Sequence, residues 1–311
     1  MYGILALDKP SGPTSRDCVN KVTRRLPGIK VAHAGTLDPL ARGVLVLLIG
    51  PAVRLTDEVH EFEKEYIGRF RLGWRSPPGD LETECEQVVA PGSIGRSELQ
   101  GSLDHFRGEI EQSPPSYSAI RIDGKRAHEL IRKGRDVEVP KRRVKIHELE
   151  LVDFSNSEFT IRTVCSTGTY MRTLGSDIAK QVGSDAVMID LQRTRVGPFT
   201  LSGACSLQDI PEASLESYLQ SPRLAVSQLP MIGVQDLTLR RILDGQRLDW
   251  GQIASDYFVV EEGAIEPDFR CAAIDDEGTL RAIIEKQTDG AWKCVKGVAH
   301  WDLYPKRSDL K

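Results

Sequence analysis

Asp38 is the residue with the most chemical promise in this chain: a carboxylate between Leu37 and Pro39, in the loop His33-Ala34-Gly35-Thr36-Leu37-Asp38-Pro39-Leu40-Ala41 that leads into the apolar run Val44 to Ile49. A carboxylate shielded there can be a nucleophile toward an electrophilic carbon, a general base, a metal ligand or an Asx-type turn residue. On local sequence alone the turn reading comes first. A metal site needs more donors, and His33 has no second histidine or carboxylate at a ligand spacing. No GxxxxGK[ST] or GxGxxG sequence follows a strand and no GxSxG occurs, so neither phosphate-cradling loops nor a hydrolase elbow is supported. What remains is the Asp38 loop, Tyr66 at the head of an apolar run, Arg172 at the head of a helix, and a basic segment.

The elements that must position these residues are legible as patterns. Gly3 to Leu7 is a short apolar strand, followed by the turn formers Asp8 to Ser15, of which Thr14 or Ser15 can cap a helix running to about Leu26. Val44 to Ile49 reads as a buried strand and Tyr66 to Leu72 as a second strand-like run. Leu99, Leu103 and Phe106 fall at helical spacing behind Ser97 as an N-cap. In Val144 to Leu151 both strand parities carry apolar residues, a mixed pattern still read as a strand. Phe159 to Cys165 is a clearer strand, and the turn Ser166 to Thr169 leads into a helix with Leu174, Ile178 and Val182 on one face and Gly183 as its stop. Tyr170 and Arg172 then lie in that helix's first turn. From about Leu229 the character changes to a short helix over Leu237 to Ile242 and alternating segments ending near Trp301.

The 311 residues suggest a large domain and a small one. Hydrophobic residues at 40% and charged residues at 28% exclude disordered and fibrous classes. No apolar run approaches the roughly 20 residues that cross a bilayer, and the start lacks a basic region and a cleavage site, so a cytoplasmic protein is expected. The six cysteines are scattered without CxxC spacing and read as reduced and structural. A formal charge of -4 argues against nucleic acid, but Ile120 to Glu148 holds ten Lys or Arg against five acids, leaving the rest of the chain at -9. Such a segment either grips phosphates or is a solvated charged face.

The stretch Lys30 to Leu45 closely resembles the catalytic loop of the TruB family of tRNA pseudouridine synthases. Five further stretches resemble that family's motifs in the same order: Lys9-Pro10-Ser11-Gly12-Pro13-Thr14-Ser15, Lys64-Glu65-Tyr66, Ser113 to Ala119, Cys165 to Leu174, and Leu191-Gln192-Arg193-Thr194. Together they cover about residues 3 to 200.

The resemblance implies isomerisation of uridine to pseudouridine at position 55 in the T-loop of tRNA, with no cofactor and no metal. It implies Asp38 as the nucleophile that attacks during cleavage of the glycosidic bond, Tyr66 packed on the base and serving in proton transfer, and Arg172 paired with Asp38. Tyr170 and Leu191 would line the uracil pocket, and His33 would contact the T-loop near the space that the flipped base leaves. The basic segment becomes a grip on the T-arm, and the expected RNA contacts are Lys9, Arg121, Lys125, Arg126, Arg142 and Arg143. Asp80 matches a family aspartate only loosely, because Arg75-Ser76-Pro77-Pro78-Gly79-Asp80 departs from the usual spelling TDTxD.

The fold implied is α+β: a pseudouridine synthase catalytic domain over 1–228, with a mixed, mainly antiparallel central sheet flanked by helices and a basic tRNA-gripping insertion at about 114–145. A small β-rich PUA-like RNA-binding domain follows over 229–311. A monomer without an obligatory protein partner is expected. Within the motifs, Ala32 stands where glycine is common, Arg42 where threonine is, and Arg121 where lysine is; none removes a catalytic group. Two rivals are a member acting on another RNA or in a guide-RNA complex, and a tRNA-folding chaperone in which catalysis is secondary.

Overall fold

The computed structural model describes residues 1–88, 94–115, 140–209, 215–253 and 266–298, with the backbone of 121–122 and 125–126. Its centre is a ten-stranded sheet. The strands are β1 (Gly3–Lys9), β2 (Val31–His33), β3 (Arg42–Ile49), β4 (Lys64–Leu72), β5 (Gly108–Gln112), β6 (Arg142–Ser155), β7 (Glu158–Cys165), β8 (Ala186–Val196), β9 (Phe199–Thr200) and β10 (Cys205–Ser206). Their order is β10-β1-β3-β8-β4-β7-β6-β5, with β2 added to β3 and β9 to β8. All pairings are antiparallel except β1 with β10 and β3 with β8, so the sheet is mixed and mainly antiparallel.

Continuous apolar runs and alternating runs have different fates in this sheet. In β1 and β3, Leu5, Leu7, Leu45, Leu47 and Ile49 face one core, while Ile4, Ala6, Val44, Val46 and Leu48 face a second. Successive strand residues point to opposite faces, so a strand covered on both sides must be apolar throughout. In β4 the buried residues Lys64, Gly68, Phe70 and Leu72 all share one parity, and Arg69 and Arg71 emerge on an open face. There Arg71 and Arg162 form cross-strand ion pairs with Glu158 and Glu65.

The mixed parity of Val144 to Leu151 has a simple cause. A register shift in β6 between Ile146 and Glu148 switches the inward parity from Val144 and Ile146 to Leu149 and Leu151, and a second between Leu151 and Asp153 returns it to the parity of Phe154.

The first core is closed by α1 (Ser15–Arg25), α3 (Arg96–Ser102) and α4 (Met171–Gln181); α2 (Thr56–Glu61) lies between β3 and β4. Thr14 caps α1 in a reciprocal box with Asp17. The expected cap at Ser97 is replaced: α3 starts behind Gly95, whose N–H donates to Glu98 at 2.9 Å, and Leu103 and Phe106 fall in a 3-10 turn. A carboxylate three residues ahead satisfies the Gly95 N–H, which fixes the helix start there. On α4, Gly175 lets the helix settle onto the sheet, because a Cβ would lie 2.0 Å from the Phe70 ring.

The second core joins the central sheet to a four-stranded one. That sheet runs β11 (Met231–Gly233), β12 (Arg270–Ile274), β13 (Leu280–Lys286) and β14 (Trp292–Gly297), with α5 (Asp236–Leu243) packed on it. Ala272, Leu280, Ile283 and Val298 pack in one cluster with β1 and β3. Arg270 and Lys296 pair with Glu58 at 2.6 and 2.9 Å beside that seam. No helix among the described residues is long and apolar enough to cross a membrane.

Candidate functional site

The Asp38 loop joins β2 to β3 and contributes no strand of its own, so its shape depends on what satisfies its backbone groups. Much of that comes from the segment after β1. Gly12 N–H donates to Pro39 O at 2.8 Å and Ser11 Oγ to Leu40 O at 3.0 Å. Ser15 Oγ donates to Leu37 O at 3.0 Å and accepts from Leu37 N–H at 2.9 Å. Lys9, expected as an RNA contact, is 0% exposed and donates to the carbonyls of Ala41 at 2.6 Å, Pro10 at 3.0 Å and Pro39 at 3.4 Å. That expectation is corrected: an ammonium enclosed by three carbonyls has no surface to offer a phosphate.

From the other side the loop is held by Arg193 on β8. Its Nε donates to Val44 O at 2.7 Å, Nη2 to Gly35 O at 3.2 Å and Nη1 to Thr36 O at 3.3 Å, and the residue is 1% exposed. The approach is close because β3 and β8 pair in parallel only at Arg42–Gly43. Gly43 has φ +101°, and a Cβ there would sit 2.2 Å from the Arg193 carbonyl oxygen.

So held, Asp38 faces Arg172 in the first turn of α4. Arg172 Nη2 lies 3.2 Å from Asp38 Oδ2, with the arginine side chain 7% and the aspartate 37% exposed. The guanidinium is thus a buried anchor behind a carboxylate that still opens onto space. Arg172 Nη1 donates to Pro78 O at 2.9 Å and lies 3.3 Å from Asp80 Oδ2. Asp80, whose spelling context matched poorly, is fully buried, and Glu82 N–H donates to its Oδ1 at 3.0 Å. Burial pushes its carboxyl above the usual range, while Glu82 N–H and Arg172 oppose that rise.

In front of Asp38 opens a cleft of about 270 Å³. Tyr66, Tyr170, Leu191 and Arg172 all line it with Asp38. Tyr66 is half-buried on β4, and burial raises its phenol pKa, partly opposed by Arg193. Leu191 is buried on β8 opposite Gly68. Tyr170 stands at the N-cap of α4 with both backbone groups held by the buried Gln112, which accepts from Tyr170 N–H at 3.0 Å and has its Nε2 3.4 Å from Tyr170 O. The Arg142 guanidinium lies over the Tyr170 ring, 5.2 Å from its centroid.

His33 ends β2 and is not among the cleft-lining residues. Burial lowers its imidazole pKa, with Arg16 and Arg193 adding to the effect. Arg143 is exposed, 4.0 Å from Glu111. Arg121 and Arg126 face each other across a two-residue ladder, with Ile122 opposite Lys125; their side chains lie outside the described residues. Arg42 is spent on Asp190 at 3.1 Å.

Among the residues in or behind the cleft that were not singled out from sequence are His60, Lys64, Gln112 and Arg193. Period-two reasoning carried a signal for two of them, because Lys64 shares a strand face with Tyr66, and Arg193 with Leu191. Gln112 immediately precedes the Ser113 to Ala119 motif. His60 follows no pattern.

A mixed sheet with a carboxylate loop pinned at its parallel junction, opposite an arginine that starts a helix, defines the pseudouridine synthase class. The family model for the N-terminal domain of TruB family pseudouridylate synthases matches residues 22–171, and that for the tRNA pseudouridylate synthase B C-terminal domain matches residues 172–243. The chain is 39% identical to the tRNA pseudouridine synthase B of Azoarcus sp. over 79% of this chain and 83% of that one. To the protein of the same name from Cupriavidus metallidurans it is 36% identical, over 91% and 90%. In fold it is similar to a chain of a crystallised Cbf5-Nop10-Gar1 complex, with a TM-score of 0.74 at 24% identity over 98% of this chain and 87% of that one. The chain belongs to the TruB family and is an isomerase that converts uridine to pseudouridine in tRNA.

Proposed function

We propose that the modified nucleotide is the uridine at position 55 of the tRNA T-loop, and that it is flipped into the cleft and attacked by Asp38. The observation that carries this reading is the 3.2 Å ion pair of Asp38 with Arg172 in a cleft walled by Tyr66, Tyr170 and Leu191. A half-exposed carboxylate with a buried guanidinium behind it is aimed at whatever fills that space. Extrusion costs a few kcal/mol of lost stacking, offset by two aromatic rings and a leucine around the base.

Attack of an Asp38 oxygen on C1′ breaks the N1–C1′ bond, whose electron pair passes to the uracil ring. The base turns and C5 bonds to C1′ as the aspartyl ester opens. The C5 hydrogen leaves as a proton and N1 gains one, so no co-reactant is consumed. Tyr66, with its phenol pKa raised, is the group beside the base for proton transfer. Arg142 and Arg143, with the basic residues of 121–135, supply the backbone grip on the T-arm, and His33 contacts the loop outside the cleft. The chain acts as a monomer.

The test is a T-arm stem-loop transcript incubated with the protein and mapped for pseudouridine. Wild type converts the single T-loop uridine; Asp38→Asn loses turnover by at least 10³-fold, of the order seen for removal of a nucleophile, while RNA affinity stays within about threefold. Activity retained in Asp38→Asn means another group is the nucleophile.

A further inference from the structure

Lys64 is a buried charge for which the fold by itself offers little. The residue is 4% exposed, yet it lines the same cleft as Asp38. It stands two residues from Tyr66 on β4, so both side chains leave the strand on the cleft face, while Glu65 between them is taken by Arg162 and Thr194 on the other. An ammonium has three donors. Among the described residues its one hydrogen bond goes to the carbonyl of His60, and it makes no ion pair. Buried charges are ordinarily paired. The neighbouring cation Arg193 is spread over the carbonyls of Gly35, Thr36 and Val44, and Arg172 over Asp38, Asp80 and Pro78.

We propose that Lys64 is a further substrate-binding residue, whose ammonium donates to a carbonyl oxygen of the flipped uracil and stabilises the negative charge on that base once the glycosidic bond has broken. The inference rests on the reading that the base occupies this cleft. When N1–C1′ breaks and the carboxylate becomes an ester, one negative charge moves from Asp38 onto the detached ring, spread over its nitrogen and carbonyl oxygens. Arg172 is aimed at where that charge was. Lys64 stands on the wall beside Tyr66, where the charge arrives, and a cation preplaced on a buried wall, with no reorganisation left to make, is worth most at that moment.

The groups facing the Lys64 side chain are Arg193, Cys165, Glu61, His60 and Tyr66. Burial, helped by Arg193, lowers the ammonium to about 8. The interaction is therefore lost as pH rises through that value, which gives kcat/KM an alkaline limb.

The experiment uses the full chain and the T-arm transcript under single turnover, with wild type, Lys64→Met and Lys64→Cys, the last before and after alkylation by 2-bromoethylamine. Alkylation of Lys64→Cys rebuilds an amine of nearly the same length, and wild type treated alike controls for its own cysteines. Expected are a rate loss of at least 100-fold in both substitutions with RNA affinity within about threefold. Aminoethylation should regain at least tenfold, with the alkaline limb moved to lower pH because the thioether makes the amine more acidic. A wild-type rate in Lys64→Met overturns the proposal. So does a folded, RNA-binding Lys64→Cys that aminoethylation fails to rescue, since that outcome means the residue serves only the architecture. If wild type itself leaves the transcript unmodified, the failure belongs to the assignment of the substrate and not to Lys64.

Discussion

The ammonium of Lys9 donates to the carbonyl of Ala41 at 2.6 Å, tying the end of β1 to the far end of the loop that carries Asp38. That contact converts a lysine in an N-terminal motif from a surface cation into part of the scaffold. Its charge is internal, and its substitution must act through the loop.

Lys9→Met should therefore lower stability by about 2 kcal/mol, the cost of stranding buried carbonyls, and reduce turnover. It should leave the slope of log Kd for RNA against log salt unchanged. Denaturant unfolding and salt titrations measure the two effects. A slope reduced by about one would return Lys9 to the phosphate-contacting set.

Gly43→Ala places a methyl group 2.2 Å from the Arg193 carbonyl at a φ of +101°. Both the strain and the clash fall on the junction that orders the Asp38 loop. A loss of about 3 kcal/mol is expected, with kcat falling more than RNA affinity. Unfolding midpoints within a degree of wild type would show that the junction relaxes freely.

Lys64 links stability to pH with a definite sign. In the unfolded chain its amine holds its proton up to about its ordinary value of 10.5, but in the fold only up to about 8. Between those values the unfolded state binds more protons, so this group's contribution to stability rises with pH, and below about 8 the full penalty is present. Lys64→Met should exceed wild type in stability near pH 7 by on the order of 3 kcal/mol at most, a margin that narrows toward pH 10.5. Parallel stability curves for the two proteins would contradict this.

Arg142 and Arg143 point the basic segment toward RNA, but differently. Arg142 covers the Tyr170 ring inside the cleft, whereas Arg143, the next residue of β6, is exposed. Reversing Arg143 to Glu should weaken T-arm binding and flatten its salt dependence by about one unit. The same change at Arg142 should also slow turnover, because the wall of the base pocket loses its stacked cation. An unchanged salt slope in both would make the segment an ordinary solvated face.

Much of this protein is legible in its sequence. Short apolar runs located the strands at Gly3 to Leu7, Val44 to Ile49, Tyr66 to Leu72 and Phe159 to Cys165, and Thr14 or Ser15 marked the start of the first helix. The ordered motifs singled out Asp38, Tyr66, Tyr170, Arg172 and Leu191, all of which line one cleft. What a linear reading lacks is the side from which a group is approached. A lysine in a polar turn looks like a surface cation until three carbonyls close around it, and Asp80 in a divergent stretch looks incidental until Arg172 is found against it. The bulges in β6 mixed two parities that each made sense alone. Sequence determined which chemical groups are available and the local elements that carry them, because those depend on near neighbours and residue type. Only the tertiary structure decided which charges are internal, because burial and partnership are set by segments distant along the chain, as Arg193 is from Gly35 and Val44.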